Sequence, residues 1–314
     1  MRLILPYVFA FSAIAHCGGA AVIAELDPLP NEAEVFGDMR ASIAGRFALW
    51  PGPAPGETSQ KRGRYVLGKK DRNWRMMDVD GPEVVLLKPA EARSNVLVLG
   101  VPGGGYFSQN MGTFCRNVSP ILESGRWVAV LHHRLPRRKG RPIYAAPRED
   151  GARAVRILRA RAAGFGYDPQ RIGAIGFSAG GNLVAMLATS SSDDVYPRVD
   201  EVDDVPSRLD FAVAVYPAYM LDDGETGKNS NRGMDAKLLP QFKFDAGTPP
   251  MFMIHGDNDA YSPMGSVMLY EELRRRRIPA QLFVYARAVH GLGSGMNVAG
   301  WQTRIVEWLS EMGF

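Results

Sequence analysis

The stretch Gly176-Phe177-Ser178-Ala179-Gly180-Gly181 constrains this chain more than any other. It follows the short apolar run Ile172–Ile175 and opens a run of helix formers from Asn182 to Ala188, so it reads as strand, sharp turn, helix. A turn that tight crowds the backbone on both sides of Ser178. Glycines at 176 and 180 remove the Cβ atoms that would collide there. A serine hydroxyl is a poor nucleophile until it is presented to a base, and a turn at a strand end presents it. The pattern is short enough to arise by chance, and a glycine-rich helix start with a capping serine has the same letters. The strand before it and the helix after it favour a nucleophile elbow at Ser178.

A serine in that role needs a base and an acid. Downstream, Met251–Ile254 is an apolar run leading into His255-Gly256-Asp257-Asn258-Asp259, and Gln281–Tyr285 is another, followed by a loop with His290-Gly291. The order Ser, Asp, His, with acid and base each just past a strand, is that of the α/β-hydrolases. His290 would then take the Ser178 proton and return it to the leaving group, and the carboxylate would fix the imidazole tautomer. His132 and His133 end a strand-like run and are candidates to line the site. His255, at a strand terminus, reads as a packed, hydrogen-bonded residue. Asp259 lies four residues before Pro263, which suits a loop closing onto a helix at Met264, so it is favoured as the acid. Asp257 is expected to stabilise the turn by bonding its own backbone. The buried-strand pattern Asn95–Val101 runs into Pro102-Gly103-Gly104-Gly105-Tyr106. Glycine amides can approach a developing negative charge closely, so the oxyanion donors are expected at Gly104 and Gly105 together with the Ala179 N–H.

The run Pro102–Tyr106, the elbow, Asp168-Pro169-Gln170-Arg171-Ile172, His255–Pro263, His290-Gly291 and the early Leu49-Trp50-Pro51-Gly52-Pro53-Ala54-Pro55-Gly56 together resemble one group. They are similar to secreted α/β-hydrolases of the acetylxylan esterase-like or prolyl-oligopeptidase-like carbohydrate-esterase kind, over residues 47 to 312. The resemblance implies Ser178 as nucleophile, Asp259 as acid and His290 as base, acting on acetyl esters of a polysaccharide fragment. Two positions depart from that group's pattern: Met111-Gly112 stands where an acidic residue and glycine are common, and His133-Arg134 stands for a tyrosine-arginine pair. Two other readings remain open. One is a prolyl-oligopeptidase-type peptidase, for which the chain lacks the length of a β-propeller gate. The other is a non-catalytic binding protein on the same fold.

The chain has 314 residues, 46% hydrophobic and 22% charged, which suits a single α/β domain over residues 25–314. Arg2, the apolar run Leu3–Phe11 and the small residues through Ala15 or Ala24 read as a signal peptide over residues 1–24, for a secreted or periplasmic protein. Cys17 leaves a lipid anchor as the alternative; without Cys17, Cys115 is the only thiol and is expected to be buried packing. Alternating strands at 84–87, 95–101, 127–132 and 211–216 with helices near 113–123 and 147–163 imply a mostly parallel sheet covered on both faces. The helix from Arg148 to Ala163 puts Ala152, Val155, Ile157 and Leu158 on an apolar stripe and its arginines elsewhere. Residues 25–75 are expected to wrap the surface, and 222–250 to form a lid. Net charge is +4. The dense run Arg134, Arg137, Arg138, Lys139, Arg141 reads as a solvated loop, or as a contact for an acidic polysaccharide. Arg274–Arg277 closes a helix in accord with its dipole. Nothing resembles a nucleic-acid module, no Cys/His cluster suggests a metal, and Asp200, Glu201, Asp203 and Asp204 lack a calcium-loop spacing. No cofactor is called for.

Overall fold

The computed structural model describes residues 25–222, 236–292, 298 and 300–314. The expected signal peptide at 1–24 and most of the polar part of the expected lid, 223–235, lie outside the described residues. In chain order the first elements are α1 (Glu32–Phe36), β1 (Ala41–Ala48), β2 (Arg64–Leu67), β3 (Trp74–Met77), β4 (Glu83–Pro89), β5 (Leu97–Val101), β6 (Gln109–Asn110), α2 (Met111–Glu123) and β7 (Trp127–His132). They are followed by α3 (Ala145–Phe165), β8 (Ile172–Phe177), α4 (Ala179–Thr189), β9 (Ala212–Val215), β10 (Met251–Gly256), α5 (Met264–Arg275), β11 (Ala280–Tyr285) and α6 (Trp301–Glu311).

An eight-stranded sheet runs in the order β1-β4-β7-β5-β8-β9-β10-β11. From β7 to β11 every pairing is parallel; β4 is antiparallel to both β1 and β7. Strands β5, β7 and β8 are buried along their whole length, which is why they read as unbroken apolar runs rather than alternating ones. One core forms beneath α3, α4 and α5, and a second beneath α1, α2 and α6. The chain leaves β5 toward β7 but leaves β8 toward β9, so the loops after β5 and β8 diverge. A crevice opens between them at the carboxyl ends of the strands, the place where open α/β sheets take ligands.

Residues 25–75 do more than wrap the surface. β1 is an edge strand of the main sheet, and β2, β3 and β6 form a small sheet of their own. Leu49, Trp50 and Ala54 are buried in the core beneath α3, and polar bonds from α3 and Arg134 tie this segment down. Trp50 Nε1 donates to Asp150 Oδ1 at 3.0 Å, Arg153 Nε to the Leu49 carbonyl at 2.8 Å, and Arg134 Nη1 to the Pro55 carbonyl at 2.6 Å. The arginines of α3 are accordingly not all on its wet side: Arg153 and Arg159 are buried with Ala152, Val155, Ile157 and Leu158. Asp200 and Asp203 close on Arg153 at 2.5 and 2.8 Å, and Asp204 on Arg198.

Three arginines of the basic run after β7 are tied to carboxylates, while Lys139 is exposed. Arg134 is buried against Asp150 and Glu149, Arg138 pairs with Glu57 and Asp80, and Arg141 pairs with Glu149. At the end of α5, Arg275 and Arg276 pair with Glu271 and Glu272 one turn back. Residues 236–250 pack down through an antiparallel bridge of Leu221 to Leu238 and a bond from Ser190 Oγ to the Gln241 carbonyl. Cys115 is buried in α2, and that burial pushes its thiol up to about 12, which makes it an inert core residue.

Candidate active site

The β8–α4 turn is built around a strained serine. Ser178 has φ 56° and ψ −120°, a region most side chains avoid. Strain of this kind costs on the order of 1–3 kcal/mol and persists only when its surroundings enforce it. Three backbone bonds do so: Ser178 N donates to the Val215 carbonyl, and the Ser178 carbonyl accepts from Asn182 N and Ala218 N, at 3.0, 3.1 and 3.1 Å. A Cβ on Gly176 would stand 2.0 Å from the Gly180 carbonyl oxygen, and one on Gly180 would stand 2.2 Å from that of Val101. Both glycines are therefore required by close backbone approach.

The loops after β10 and β11 bring Asp259 and His290 to this serine. His290 Nε2 lies 2.8 Å from Ser178 Oγ, and His290 Nδ1 lies 2.8 and 3.0 Å from the two Asp259 oxygens. With Nδ1–H donating to the carboxylate, Nε2 is free to accept the serine proton. Asp259 is buried, which by itself raises a carboxyl pKa. Hydrogen bonds from His255 and His290, the His290 charge and the Tyr261 amide outweigh that burial and hold it at about 2. The Tyr261 amide donates to Asp259 Oδ1 at 2.8 Å. The carboxylate that ties its own backbone is thus Asp259, whereas Asp257 is exposed. His255 is packed and bonded as its strand-end position suggests, and it also supports the acid. Its Nε2–H donates to the Tyr261 carbonyl at 2.9 Å and lies 3.4 Å from Asp259 Oδ2, while its Nδ1 accepts from Ser266 Oγ at 2.8 Å.

His132 and His133 do not line the site. Both are fully buried beneath it, and desolvation lowers their imidazoles to about 3 and about 4. His132 bridges Tyr65 and Gln109, and His133 donates to the Arg134 carbonyl.

Opposite the serine, Gly103, Gly104 and Gly105 form part of a cavity of about 600 Å³, with Ser178 and His290 in its wall. Gly104 and Gly105 have φ of 145° and 65°, and a Cβ on Gly104 would stand 2.0 Å from the Ser108 carbonyl oxygen. The next residue, Tyr106, is buried, and its hydroxyl donates to Asn182 Oδ1 at 2.8 Å. Asn182 Nδ2 in turn donates to the Tyr219 carbonyl at 2.9 Å. One buried asparagine on α4 therefore ties the glycine loop to the segment after β9. Its sequence signal was available: it is a polar residue at the head of the otherwise apolar run Leu183–Ala188. Tyr216 and Tyr261 pack their rings 5.1 and 4.9 Å from the His290 ring, and both face the cavity.

Residues 84–220, from β4 through the elbow and β9, match the BD-FAE family. Thermogutta terrifontis esterase 2 superposes with a TM-score of 0.62 at 25% identity, over 82% of this chain and 97% of that one. The fold is that of the α/β-hydrolases. Among characterised relatives of this α/β-hydrolase, an acetylxylan esterase of Xylanibacter ruminicola is 27% identical over 237 residues, 69% of this chain and 45% of that protein. The endo-1,4-beta-xylanase B of Butyrivibrio fibrisolvens is 27% identical over 209 residues, 62% of this chain and 32% of that protein. The chain thus spans less than half the length of these two relatives. An acetyl ester-xyloside bifunctional hydrolase of Caldicellulosiruptor lactoaceticus, at 22% identity and a TM-score of 0.62, shares the fold over 88% of this chain.

Proposed function

We propose that this α/β-hydrolase is a serine esterase that releases a small acyl group, acetate, from a carbohydrate ester. The observation that carries the reading is the relay Ser178–His290–Asp259, closed by contacts of 2.8 Å and opening into the cavity beside the glycine loop. Ser178 Oγ attacks the ester carbonyl as its proton passes to His290 Nε2. Asp259, kept ionised at any ordinary pH, stabilises the imidazolium that forms. The tetrahedral oxyanion is held by N–H groups of Ala179, at the start of α4, and of Gly104 and Gly105. Collapse expels the sugar alcohol, which takes its proton from His290. Water then repeats the sequence on the acyl-enzyme and frees the acid.

The acetyl and sugar parts of the reading draw on the names of the Xylanibacter and Butyrivibrio relatives together with the volume of the cavity. Export directed by residues 1–24 would bring the enzyme to such a substrate. The test is acetate release by the wild type and by Ser178→Ala, on acetylated xylan fragments and on p-nitrophenyl acetate. Release from both by the wild type is expected, with kcat falling on the order of 10⁴–10⁶ in the variant. Release from the small ester alone would keep the chemistry and remove the sugar. The absence of Ser178-dependent release from either would end the esterase reading.

A further inference from the structure

Phe107 is 54% exposed, and among the described residues only Val199 and Val284 are large apolar side chains left comparably open. A single exposed apolar residue is ordinary and carries nothing alone. Phe107 differs in how it is held and in what it adjoins. The Arg137 guanidinium lies over its ring at 4.2 Å and over the Tyr219 ring at 5.2 Å. The same guanidinium donates from Nε to the Gly105 carbonyl at 2.8 Å and from Nη2 to the Tyr219 hydroxyl at 2.7 Å.

Gly105 belongs to the cavity wall. A Cβ at that position would stand 3.7 Å from the Phe107 ring and 3.4 Å from the Tyr219 hydroxyl. Tyr219 packs edge-on to Tyr261 at 5.2 Å, and Tyr261 reaches the His290 ring. A row of rings therefore leads from His290 through Tyr261 to Tyr219, and the Arg137 guanidinium carries it on to Phe107. The use made of Arg137 is also unlike that of its neighbours. Arg134, Arg138 and Arg141 are paired with carboxylates, while among the described residues no carboxylate pairs with Arg137. Its charge is set against two aromatic faces and the glycine loop.

Resting on the esterase reading above, we propose that Phe107, fixed by Arg137, is the platform on which the pyranose ring of the alcohol half stacks. A pyranose presents a face of C–H groups that packs flat on an aromatic ring, while its hydroxyls stay at the rim in water. A ring immobilised before the substrate arrives loses less freedom on binding, which is what the stacked guanidinium provides.

The test compares kcat/KM on an acetylated methyl xyloside with that on ethyl acetate, which has no ring to stack, in wild type, Phe107→Ala and Phe107→Trp. Phe107→Ala is expected to lower the xyloside-to-ethyl-acetate ratio about tenfold, the size of one aromatic contact, and Phe107→Trp to keep it. A ratio that does not move in Phe107→Ala overturns the platform while ethyl acetate turnover leaves the esterase standing. A drop seen with p-nitrophenyl acetate but not with the xyloside overturns the sugar in favour of an aryl ring. If neither ester is turned over in a Ser178-dependent way, the esterase reading fails and takes the platform with it.

Discussion

Two buried aspartates, Asp259 in the relay and Asp150 in α3, have nearly the same surroundings and opposite consequences. Asp259 accepts from His290 Nδ1 and the Tyr261 amide, with His255 Nε2 at 3.4 Å. Asp150 accepts from the Arg134 amide at 2.8 Å, from Arg134 Nε at 3.0 Å and from Trp50 Nε1 at 3.0 Å. Both carboxylates are thereby satisfied in a low-dielectric setting. The difference lies in the cation each faces. A guanidinium keeps its proton at every pH the protein meets, so Asp150 and Arg134 form a fixed joint between α3 and the segment 49–57. An imidazole can pass a proton through its second ring nitrogen, and His290 has the Ser178 hydroxyl on that side. Burial of a carboxylate is common to both sites; what sets Asp259 apart is the hydroxyl on the far side of its partner, on which the proposed chemistry depends.

That contrast breaks if the two aspartates respond alike to substitution. Asp259→Asn should lower kcat by about 10⁴, because an amide neither offsets the imidazolium charge nor holds the Nδ1–H tautomer. Its urea midpoint should fall less than that of Asp150→Ala, since the lowered Asp259 carboxyl accounts for only roughly 2 kcal/mol. Asp150→Ala should do the reverse. It leaves Arg134 buried with only Glu149 and the more distant Glu57, and removing one partner of a buried ion pair costs about 3–5 kcal/mol. Its kcat per folded molecule should be retained, as measured by active-site titration below the unfolding midpoint. A large loss of kcat in Asp150→Ala, or a loss of stability in Asp259→Asn as large as that in Asp150→Ala, would dissolve the distinction.

The same pair explains what the sequence discloses. The three residues of the proposed relay stand out in the sequence because each lies just beyond a strand whose apolar run is unmistakable: Ile172–Phe177, Met251–Gly256 and Ala280–Tyr285. The strand Trp127–His132 was legible to the residue, since a strand buried on both faces leaves a continuous apolar signal. β1 was missed because Ala41–Ala48 carries Gly45, Ser42 and Arg46 and lies at the sheet edge, where only half of the pattern is enforced. β2 and β3 are four residues each, too short for any period to emerge. The roles of Arg134 and Arg153 were illegible for a different reason. A buried arginine looks like a surface one until its carboxylates are located, and those of Arg153 are 47 and 50 positions away. His255 could be read as packed, but not as a support for Asp259, because that depends on how the loop from Gly256 to Tyr261 folds back.

Acid sharpens the comparison with its smallest effect. His132 and His133 lie beneath the site, and burial lowers them to about 3 and about 4, below the ordinary 6.5. The unfolded chain therefore binds protons at these positions at a higher pH than the folded chain does. Their neutral state is compatible with full stability above pH 6.5, and stability falls as the pH drops from there toward 4. The fall is about 1.4 kcal/mol per pH unit for each histidine. Asp259 acts in a lower window: its folded pKa of about 2 lies under the unfolded value of 3.8, so its contribution is complete above about pH 4 and is lost as the pH falls through 2. Urea midpoints at pH 7, 6 and 5 should decline in the wild type and decline less steeply in His133→Asn, whose amide can still donate to the Arg134 carbonyl. An equal slope in both proteins would mean that the buried histidine takes up its proton without unfolding. The distinction between fixed and mobile charge would then hold only for the two aspartates.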